Sequence, residues 1–319
     1  MTDVQRDEAT AFAPATVANV AVGFDLLGFS FPELGDRVRV RRVQGGAGHI
    51  DLVSAAGVTT VPADPLRNTA TVALRSLIDA QPVPFGLSVE VEKGIPLASG
   101  LGGSAASAVA AVVAAAAVWD APLSMEELCR HALAGEASVS GGVHPDNVVP
   151  SLYGGLTASL PGDPVEVLSL PVPDGLRCVV VHPHLELETQ AARSVLAAEV
   201  PLALYVRQSG WLSGFLHACH TGDLELIGRC LRDDVIEPQR SPAIPGFDAV
   251  QHAAMEHGAL GSSLAGSGSS VFAWTREADA EAVADAMSEA FAAAGLPTDR
   301  WIGPVGGAGA RVLQAGDAR

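Results

Sequence analysis

The sequence contains very little lysine. Lys93 is the only one, the other 18 basic residues are arginines, and together they face 36 acidic residues. The resulting net charge of −17 excludes a protein that binds nucleic acid or another polyanion through its overall charge. Any function that requires a lysine side chain therefore depends on residue 93.

Cysteine is also scarce. The four cysteines show neither a CxxC pair nor a histidine at zinc-ligand spacing: Cys129, Cys178, Cys219 and Cys230. We therefore expect reduced, packed thiols in a cytoplasmic protein. The N-terminal segment MTDVQRDEATAF mixes acids and bases before any apolar run, so we expect neither a signal peptide nor a transit peptide.

Long apolar runs are missing as well. The uncharged run 94–119 has a continuous apolar part only at residues 105–118, which is mostly alanine and shorter than the ~18–20 residues of a membrane-spanning helix. We expect it to form a buried helix. Hydrophobic residues make up 48% of the chain and charged residues 17%, which excludes disorder. A chain of 319 residues is long enough for two domains.

Apolar spacing predicts a mixture of strands and helices. Strands are predicted at 36–43, 87–91, 178–181 and 271–274, and helices at 68–80, 105–118, 125–138, 190–198, 202–218 and 283–291. Ser124 and Glu127 form a capping-box signature, and Gly141 with Gly142 should end the helix that follows. The Pro/Gly/Asp-rich stretch 160–175 predicts a boundary between domains at 1–160 and 161–319, in a protein of the α+β class.

The strongest motif is a glycine- and serine-rich loop, PLASGLGGSAA, at residues 96–106. Glycines let a backbone approach a ligand closely, and the free amides at the start of the following helix attract anions. We interpret the segment as a phosphate loop rather than a flexible turn capped by Ser104, because the glycines, the serines and the long helix agree. It is neither a Walker A loop nor a GxGxxG fingerprint.

A second constellation is Glu136 with the segment His144-Pro-Asp146-Asn147. A nucleotide held by a loop needs a divalent cation, and Mg²⁺ takes only one or two protein oxygens, which Glu136 and Ser104 can supply. His-Pro-Asp-Asn between glycines is interpreted as a functional loop. Taken singly, an acid such as Glu136 is more often a solvated helix residue, and a histidine such as His144 is more often an ordinary loop residue.

Further candidates lie at both ends of the chain. Asn19 and Asp25, among Pro and Gly, suggest two polar groups that face a small ligand, although by itself this segment is better explained as an ordinary hairpin. In the second half Thr189, Arg193 and Arg240 stand out, because the planar guanidinium binds carboxylates in a bidentate way. Surface ion pairing is the alternative for each of them, and spacing alone does not decide.

Three motifs together resemble the GHMP family of small-molecule kinases: PATVANVAVGFDLLGFSF, IPLASGLGGSAAS and SLAGSGSSVFAW, which span residues 14–274. Within the family, Pro14-Ala-Thr-Val-Ala-Asn19, HPDNVVPSLYGG and EPQRSPAIPGF are similar to its homoserine kinase branch. The resemblance implies an N-terminal domain like the second domain of ribosomal protein S5 and a ferredoxin-like C-terminal domain. It also implies ATP-dependent phosphorylation of L-homoserine in threonine biosynthesis, by a cytoplasmic homodimer with no nucleic-acid or membrane partner.

The resemblance also implies a role for each candidate residue. The ATP phosphates would lie against Pro96, Leu97, Ala98, Ser99, Gly100, Leu101, Gly102, Gly103, Ser104, Ala105 and Ala106. Asn68 would lie near the adenine, and Ser104 and Glu136 would bind Mg²⁺. Homoserine would contact Asn19, Asp25, His144 and Asp146, with Thr189, Arg193 and Arg240 at its amino-acid end. Asn19, Asp25 and Asp146 are the catalytic candidates, with no obligatory general base.

One position departs from the family pattern, since Gly103 replaces the usual serine and removes one hydroxyl contact to the phosphates. Two alternatives remain: a GHMP kinase for a sugar or mevalonate-like alcohol, and a non-catalytic ligand sensor on the same fold. A sensor would have no need of the Mg²⁺ residues Ser104 and Glu136.

Overall fold

The computed structural model describes residues 6–59, 61–62, 64–119, 121–140 and 142–314, without the side chain of residue 140. The predicted end of the third helix at Gly141 and residues 1–5 of the segment tested for a leader peptide lie outside these residues. No helix in the described ranges is long and apolar enough to cross a membrane.

Two β-sheets organise the described residues. The first has the order β11-β1-β2-β4-β3, with β5 paired to β2 and β6 to β5. Its strands are β1 (Glu8–Ala18), β2 (Leu27–Val43), β3 (Ile50–Gly57), β4 (Gly86–Lys93), β5 (Leu156–Leu160), β6 (Glu166–Leu170) and β11 (Arg311–Val312). The second, β10-β7-β9-β8, contains β7 (Leu176–Pro183), β8 (Ala259–Leu264), β9 (Val271–Arg276) and β10 (Thr298–Pro304).

The helices cover these sheets. They are α1 (Thr69–Ala80), α2 (Gly103–Val118), α3 (Met125–Ser140), α4 (Pro145–Tyr153), α5 (Thr189–Ser194), α6 (Leu202–Thr221), α7 (Leu224–Cys230), α8 (Glu237–Arg240), α9 (Phe247–Glu256) and α10 (Ala280–Ala293). The predicted mixture of strands and helices is confirmed. The capping box is confirmed too, since the Glu127 carboxylate accepts from the Ser124 amide at 2.7 Å.

Helix α2 is the centre of the first half. Most of its side chains are buried, and they are alanines and valines, as predicted for residues 105–118. Small side chains let β1 and β2 approach on one side and α1 and α3 on the other. This packing fixes the start of α2, where the glycine-rich loop ends.

Aromatic packing joins the two halves of the chain. The Phe29 ring on β2 lies 6.1 Å from that of Phe272 and 5.7 Å from that of Trp274, both on β9. All three side chains are fully buried. Because these contacts link strands of different sheets, they hold the walls of the space between the sheets in a defined position.

Three local predictions were wrong in detail. Residues 144–147, predicted as a loop, contain the first turn of α4. Pro145 stands at the first helical position, where a backbone N–H would have no acceptor within the helix, so proline costs no hydrogen bond there. Residues 166–170, inside the predicted Pro/Gly-rich boundary, form β6. The helix predicted at 190–198 already ends at Ser194. The division at residue 160 stays a prediction, while β6 and β11 from the second half pair within the first sheet.

Candidate active site

A cavity of about 520 Å³ gathers the predicted site residues. It is bordered by the β1–β2 connection, the glycine-rich loop, α4, α5 and the loop before β9. Every candidate from the sequence borders it except Ala105 and Ala106, which are buried in the first turn of α2. Residues from 19 to 240 are therefore brought together by the fold, as the sequence motifs required.

The glycine-rich loop has a backbone that side chains would disturb. Gly100 and Gly102 have φ values of +80° and +67°. A Cβ atom on Gly100 would lie 2.3 Å from the Ala265 carbonyl oxygen, and one on Gly102 would lie 2.1 Å from the Thr16 Oγ1 atom. These two positions therefore require glycine for both conformation and space. Thr16, which the sequence interpretation missed, also donates to Asn147 Oδ1 at 2.7 Å.

Backbone hydrogen bonds connect the loop to the third motif. The Ser270 amide donates to the Ser99 carbonyl at 3.0 Å, and the Leu187 amide donates to the Ala98 carbonyl at 3.3 Å. The Gly266 amide donates to the Ala18 carbonyl at 3.2 Å. The three sequence motifs thus meet at one place, although Ala18 and Gly266 are 248 residues apart in the sequence.

Lys93 lies at the end of β4 directly before the loop and is 4% exposed. Its ammonium group forms a buried ion pair with Asp36 and donates to the Gly103 carbonyl at 2.7 Å and to Ser107 Oγ at 2.9 Å. Sequence interpretation singled out Lys93 but missed Asp36 and Ser107. A buried lysine requires a buried acid, but no spacing in the sequence indicates which one.

Glu136 on α3 and Ser104 on α2 form the predicted metal pair. Glu136 is buried and hydrogen-bonds with the Ser104 side chain. Burial raises the pKa of Glu136, while the Ser104 bond and the Lys93 charge oppose that rise. No cluster of three or more His, Cys, Asp or Glu suited to a metal occurs in the described ranges. Two adjacent oxygen donors still suit a hard cation that also binds phosphate.

Asn68 begins α1 as its N-cap residue. Its Oδ1 atom accepts from the Ala70 amide at 3.1 Å, and its Nδ2 atom donates to the Pro62 carbonyl at 3.4 Å. The side chain is buried and borders the cavity at the same time. A cap role therefore accounts for its amide contacts, and a contact with a nucleotide base stays a prediction.

Asn19 begins a turn in which three consecutive residues, 19–21, have positive φ. Its Nδ2 atom donates to the Gly266 carbonyl at 2.9 Å, and its Oδ1 atom accepts from the Asp25 amide at 3.1 Å. The segment connects β1 to β2, so it is a strand connection as well as a cavity wall. Strained backbone of this kind persists only where the surroundings hold it.

Two arginines stand at the same end of the cavity. Arg193 forms a bidentate pair with Asp25, at 3.1 and 2.8 Å, and donates to His144 Nδ1 at 3.3 Å. Arg240 is buried and donates to the carbonyls of Ala192 and Gly266, both at 3.1 Å. Arg193 therefore does form an ion pair, but within the cavity wall.

Phe24 supports both arginines. Its ring centre lies 5.4 Å from the Arg193 guanidinium carbon and 5.3 Å from that of Arg240. Cation–π contact over the ring faces favours guanidinium groups at such distances. Sequence interpretation missed Phe24 because a phenylalanine between Gly23 and Asp25 looks like an ordinary apolar residue.

Asp146 and His144 have unpaired polar atoms. Asp146 Oδ1 and His144 Nε2 have no hydrogen-bond partner in the described part of the chain. Burial, followed by the Asp25 charge, raises the pKa of Asp146 to about 7. Burial and the Arg193 charge lower the pKa of His144. Buried polar atoms without partners are costly and are retained where a ligand satisfies them. Thr189 borders the same end, and its hydroxyl oxygen lies 3.5 Å from that of Ser267.

Comparisons with known proteins agree with this arrangement. The family model for the GHMP kinases N terminal domain matches residues 68–155, and the model for GHMP kinases C terminal matches residues 215–293. A homoserine kinase of Xanthomonas campestris is 47% identical over 308 residues, covering 96% of this chain and 94% of its own. A homoserine kinase of Chloroherpeton thalassium is 39% identical, covering 96% and 99%.

A solved structure shares the whole fold. The crystal structure of homoserine kinase from Cytophaga hutchinsonii superposes with a TM-score of 0.93 at 37% identity, covering 98% of this chain and 99% of that one. The expected two-domain GHMP kinase fold is thereby confirmed. The chain belongs to the GHMP kinase family, and the relatives that it matches over nearly its full length are homoserine kinases.

Proposed function

We propose that this protein transfers the γ-phosphoryl group of ATP to the side-chain hydroxyl of L-homoserine, giving O-phospho-L-homoserine and ADP in threonine biosynthesis. The observation that carries the proposal is one cavity with two different ends. A loop of glycines at the start of α2 forms one end, and two arginines with two acidic side chains form the other. The homoserine kinase relatives support the choice of acceptor.

The loop end is suited to the triphosphate. Backbone amides of 97–104 and the start of α2 bind phosphate without a basic side chain, which agrees with the single lysine of the sequence. Ser104 and Glu136 would hold Mg²⁺, because both donors are oxygens, they lie side by side, and the phosphates complete the shell. Bound there, Mg²⁺ would neutralise charge on the phosphates.

The arginine end is suited to an amino acid. Arg193 and Arg240 bind the carboxylate, Asp146 attracts the ammonium group, and Asn19 and Asp25 border the space for the hydroxyl chain. Because Asp25 already holds Arg193 in a bidentate pair, the substrate carboxylate must compete with Asp25 for that guanidinium. The Asp25 carboxylate that this exchange frees can then accept a hydrogen bond from the substrate hydroxyl.

The chemical step requires alignment more than base strength. The hydroxyl oxygen bonds to the γ-phosphorus as the bond to the ADP oxygen breaks, and the hydroxyl proton leaves to solvent. Asn19 and Asp25 orient the hydroxyl in this mechanism, and no side chain acts as an obligatory base. An Asp25→Asn or Asp146→Asn variant that bound both substrates normally but lost kcat by many orders of magnitude would contradict this hypothesis.

Further parts of the proposal concern the state of the protein. We infer a cytoplasmic homodimer with domains at 1–160 and 161–319. Free, buried thiols at Cys129, Cys178, Cys219 and Cys230 support a reducing compartment. The dimer rests on the family resemblance, and analytical ultracentrifugation of the purified chain would measure it directly.

An acceptor screen tests the function. The purified protein is given ATP and Mg²⁺ with L-homoserine, L-threonine, mevalonate or galactose, and ADP release is followed in a coupled assay. We expect turnover with homoserine far above the other acceptors. Turnover with mevalonate or galactose instead would identify another GHMP kinase. Nucleotide binding without turnover on any acceptor would favour a ligand sensor.

A further inference from the structure

The glycine-rich loop is tied down by a buried charge network at both of its ends. The network consists of Asp36 on β2, Lys93 on β4 and Ser107 on α2, which we call the loop anchor. Asp36 is fully buried, and Lys93 and Ser107 are 4% exposed. The three residues come from three different elements, so the contact exists only in the folded chain.

Asp36 fixes the entry to the loop. Its Oδ1 atom accepts from the amides of Gly94 and Ile95, at 3.0 and 3.3 Å, directly before the loop begins. Its Oδ2 atom pairs with the Lys93 ammonium and accepts from Ser107 Oγ at 2.6 Å. One carboxylate thus joins the last residues of β4 to the body of α2.

Lys93 fixes the exit from the loop. Its ammonium group donates to the Gly103 carbonyl at 2.7 Å and to Ser107 Oγ at 2.9 Å, in addition to Asp36. An ammonium group has three donor hydrogens, so these protein acceptors use all of them. A phosphate oxygen would have to displace one of these contacts, although Lys93 borders the cavity.

Gly103 allows this close contact. A Cβ atom on Gly103 would lie 3.4 Å from Lys93 Nζ and 3.3 Å from Ile95 Cγ2. The position that lacks the usual serine is therefore the one against which the lysine packs. The absence of a serine hydroxyl at position 103 and the burial of Lys93 therefore concern two groups in direct contact.

We propose that Asp36, Lys93 and Ser107 are positioning residues that hold the phosphate loop in its ATP-binding shape, and that Lys93 acts through the loop rather than as a phosphate ligand. The proposal rests on the proposed function, because it assumes that ATP phosphates bind this loop. It explains why the only lysine of the chain is buried in an ion pair beside a phosphate site. A pre-shaped loop presents its amides without reorganisation at each turnover.

Ser107→Ala is the sharpest test, since it removes the hydroxyl that joins Asp36 to Lys93 and leaves both charges in place. Ser262→Ala is the matched control, because Ser262 is equally buried and its hydroxyl donates to the Phe272 carbonyl at 2.9 Å in the second sheet. For each variant we would measure the dissociation constant of ADP by calorimetry, KM for ATP and for homoserine, kcat, and the midpoint of thermal unfolding.

Ser107→Ala should weaken ADP binding and raise KM for ATP about tenfold, with KM for homoserine unchanged. Ser262→Ala should lower the thermal midpoint without a change in KM for ATP. Ser107→Thr, which keeps the hydroxyl, should restore KM for ATP. A Ser107→Ala variant that binds ADP as tightly as the wild type would overturn the proposal, while wild-type turnover of homoserine would leave the proposed function intact.

A double-mutant cycle tests whether the anchor acts as one unit. Lys93→Met should weaken ADP binding. Adding Ser107→Ala should weaken it little further, because without Lys93 the Ser107 hydroxyl no longer joins Asp36 to the lysine. If the losses of ADP affinity in the two single variants were fully additive, Lys93 and Ser107 would act independently, which would contradict the proposal. Wild-type protein that bound no ADP would overturn both this inference and the proposed function.

Discussion

The two ends of the cavity differ in how completely their polar groups are satisfied. At the loop end the Lys93 ammonium, the Asp36 carboxylate and the Ser107 hydroxyl all have partners within the protein. At the arginine end Asp146 Oδ1, His144 Nε2 and Arg193 Nε have none among the described residues. The loop anchor is therefore held in place by the protein itself, whereas these three atoms at the arginine end are available to a ligand.

The largest effect is expected from Arg240→Met. This guanidinium is buried and donates to two backbone carbonyls, so its loss removes the charge that we propose binds the substrate carboxylate. We expect kcat/KM for homoserine to fall about a thousandfold, with KM for ATP changed only slightly. Arg300→Met removes an exposed ion pair with Asp285 and should leave both constants unchanged. Equal losses for the two substrates would break the distinction between the two ends.

Gly102→Ala should damage the opposite end. Its Cβ atom would collide with Thr16 Oγ1, and its φ of +67° is unfavourable for alanine. We expect kcat/KM for ATP to fall about a hundredfold, measured at saturating homoserine. Gly222→Ala provides the control, because Gly222 has a φ of +73° but open space around its Cβ position. That variant should lose about 1 kcal/mol of stability and retain its ATP kinetics.

Asp146→Asn should change the pH dependence of the arginine end. The pKa of Asp146 is raised to about 7, so its carboxylate becomes charged as the pH rises through that value. If this charge attracts the substrate ammonium, KM for homoserine should fall between pH 6 and 8 in the wild type, and the variant should lack that change. A KM profile that is identical in both proteins would exclude Asp146 as the source.

The same shift has a consequence for stability. A carboxyl whose pKa is raised on folding stabilises the fold fully below its unfolded pKa, and this contribution is lost as the pH rises through the folded value. Asp146→Asn removes the cost of a buried charge at high pH. The thermal midpoint of the variant should therefore rise relative to the wild type as the pH increases from 4 to 8. A constant difference across that interval would argue against a protonated Asp146.

The smallest effect is expected from Phe24→Leu. The substitution removes the ring that supports both Arg193 and Arg240, so KM for homoserine should rise about threefold to tenfold with kcat less affected. Phe12 offers a matched control, because Arg37 and Arg311 lie over its ring away from the cavity. Phe12→Leu should leave KM for homoserine unchanged. A similar rise in both variants would mean that general loosening, not arginine support, causes the effect.

Local sequence predicted the loop end better than the arginine end. The glycines of 96–106, the alanine-rich run behind them and the Ser124–Glu127 cap are all contiguous signals, and each has a physical meaning by itself. The three motifs of the resemblance then predicted which distant segments would meet. The anchor escaped prediction because Asp36 and Lys93 are 57 residues apart and neither belongs to a recognisable spacing.

The arginine end depends on tertiary contacts. Arg193 pairs with Asp25 across 168 residues, and spacing alone left this arginine open to a surface ion pair. Proline misled the interpretation of 144–147, because His-Pro-Asp-Asn looks like a turn, whereas proline also suits the first position of a helix. Burial, which raises the pKa of Asp146, is a property of the fold and leaves no local signal.

The most direct test of the two-ended cavity is a comparison of acceptors that each lack one charged group. Phosphoryl transfer from ATP is followed by ³¹P NMR with L-homoserine, with 4-hydroxybutyrate, which lacks the ammonium group, and with 3-aminopropan-1-ol, which lacks the carboxylate. The account predicts a phosphate-monoester signal that grows rapidly with homoserine and at least about a hundredfold more slowly with either analogue. Comparable rates for all three alcohols would contradict it, because the arginines and acids at that end would then recognise nothing.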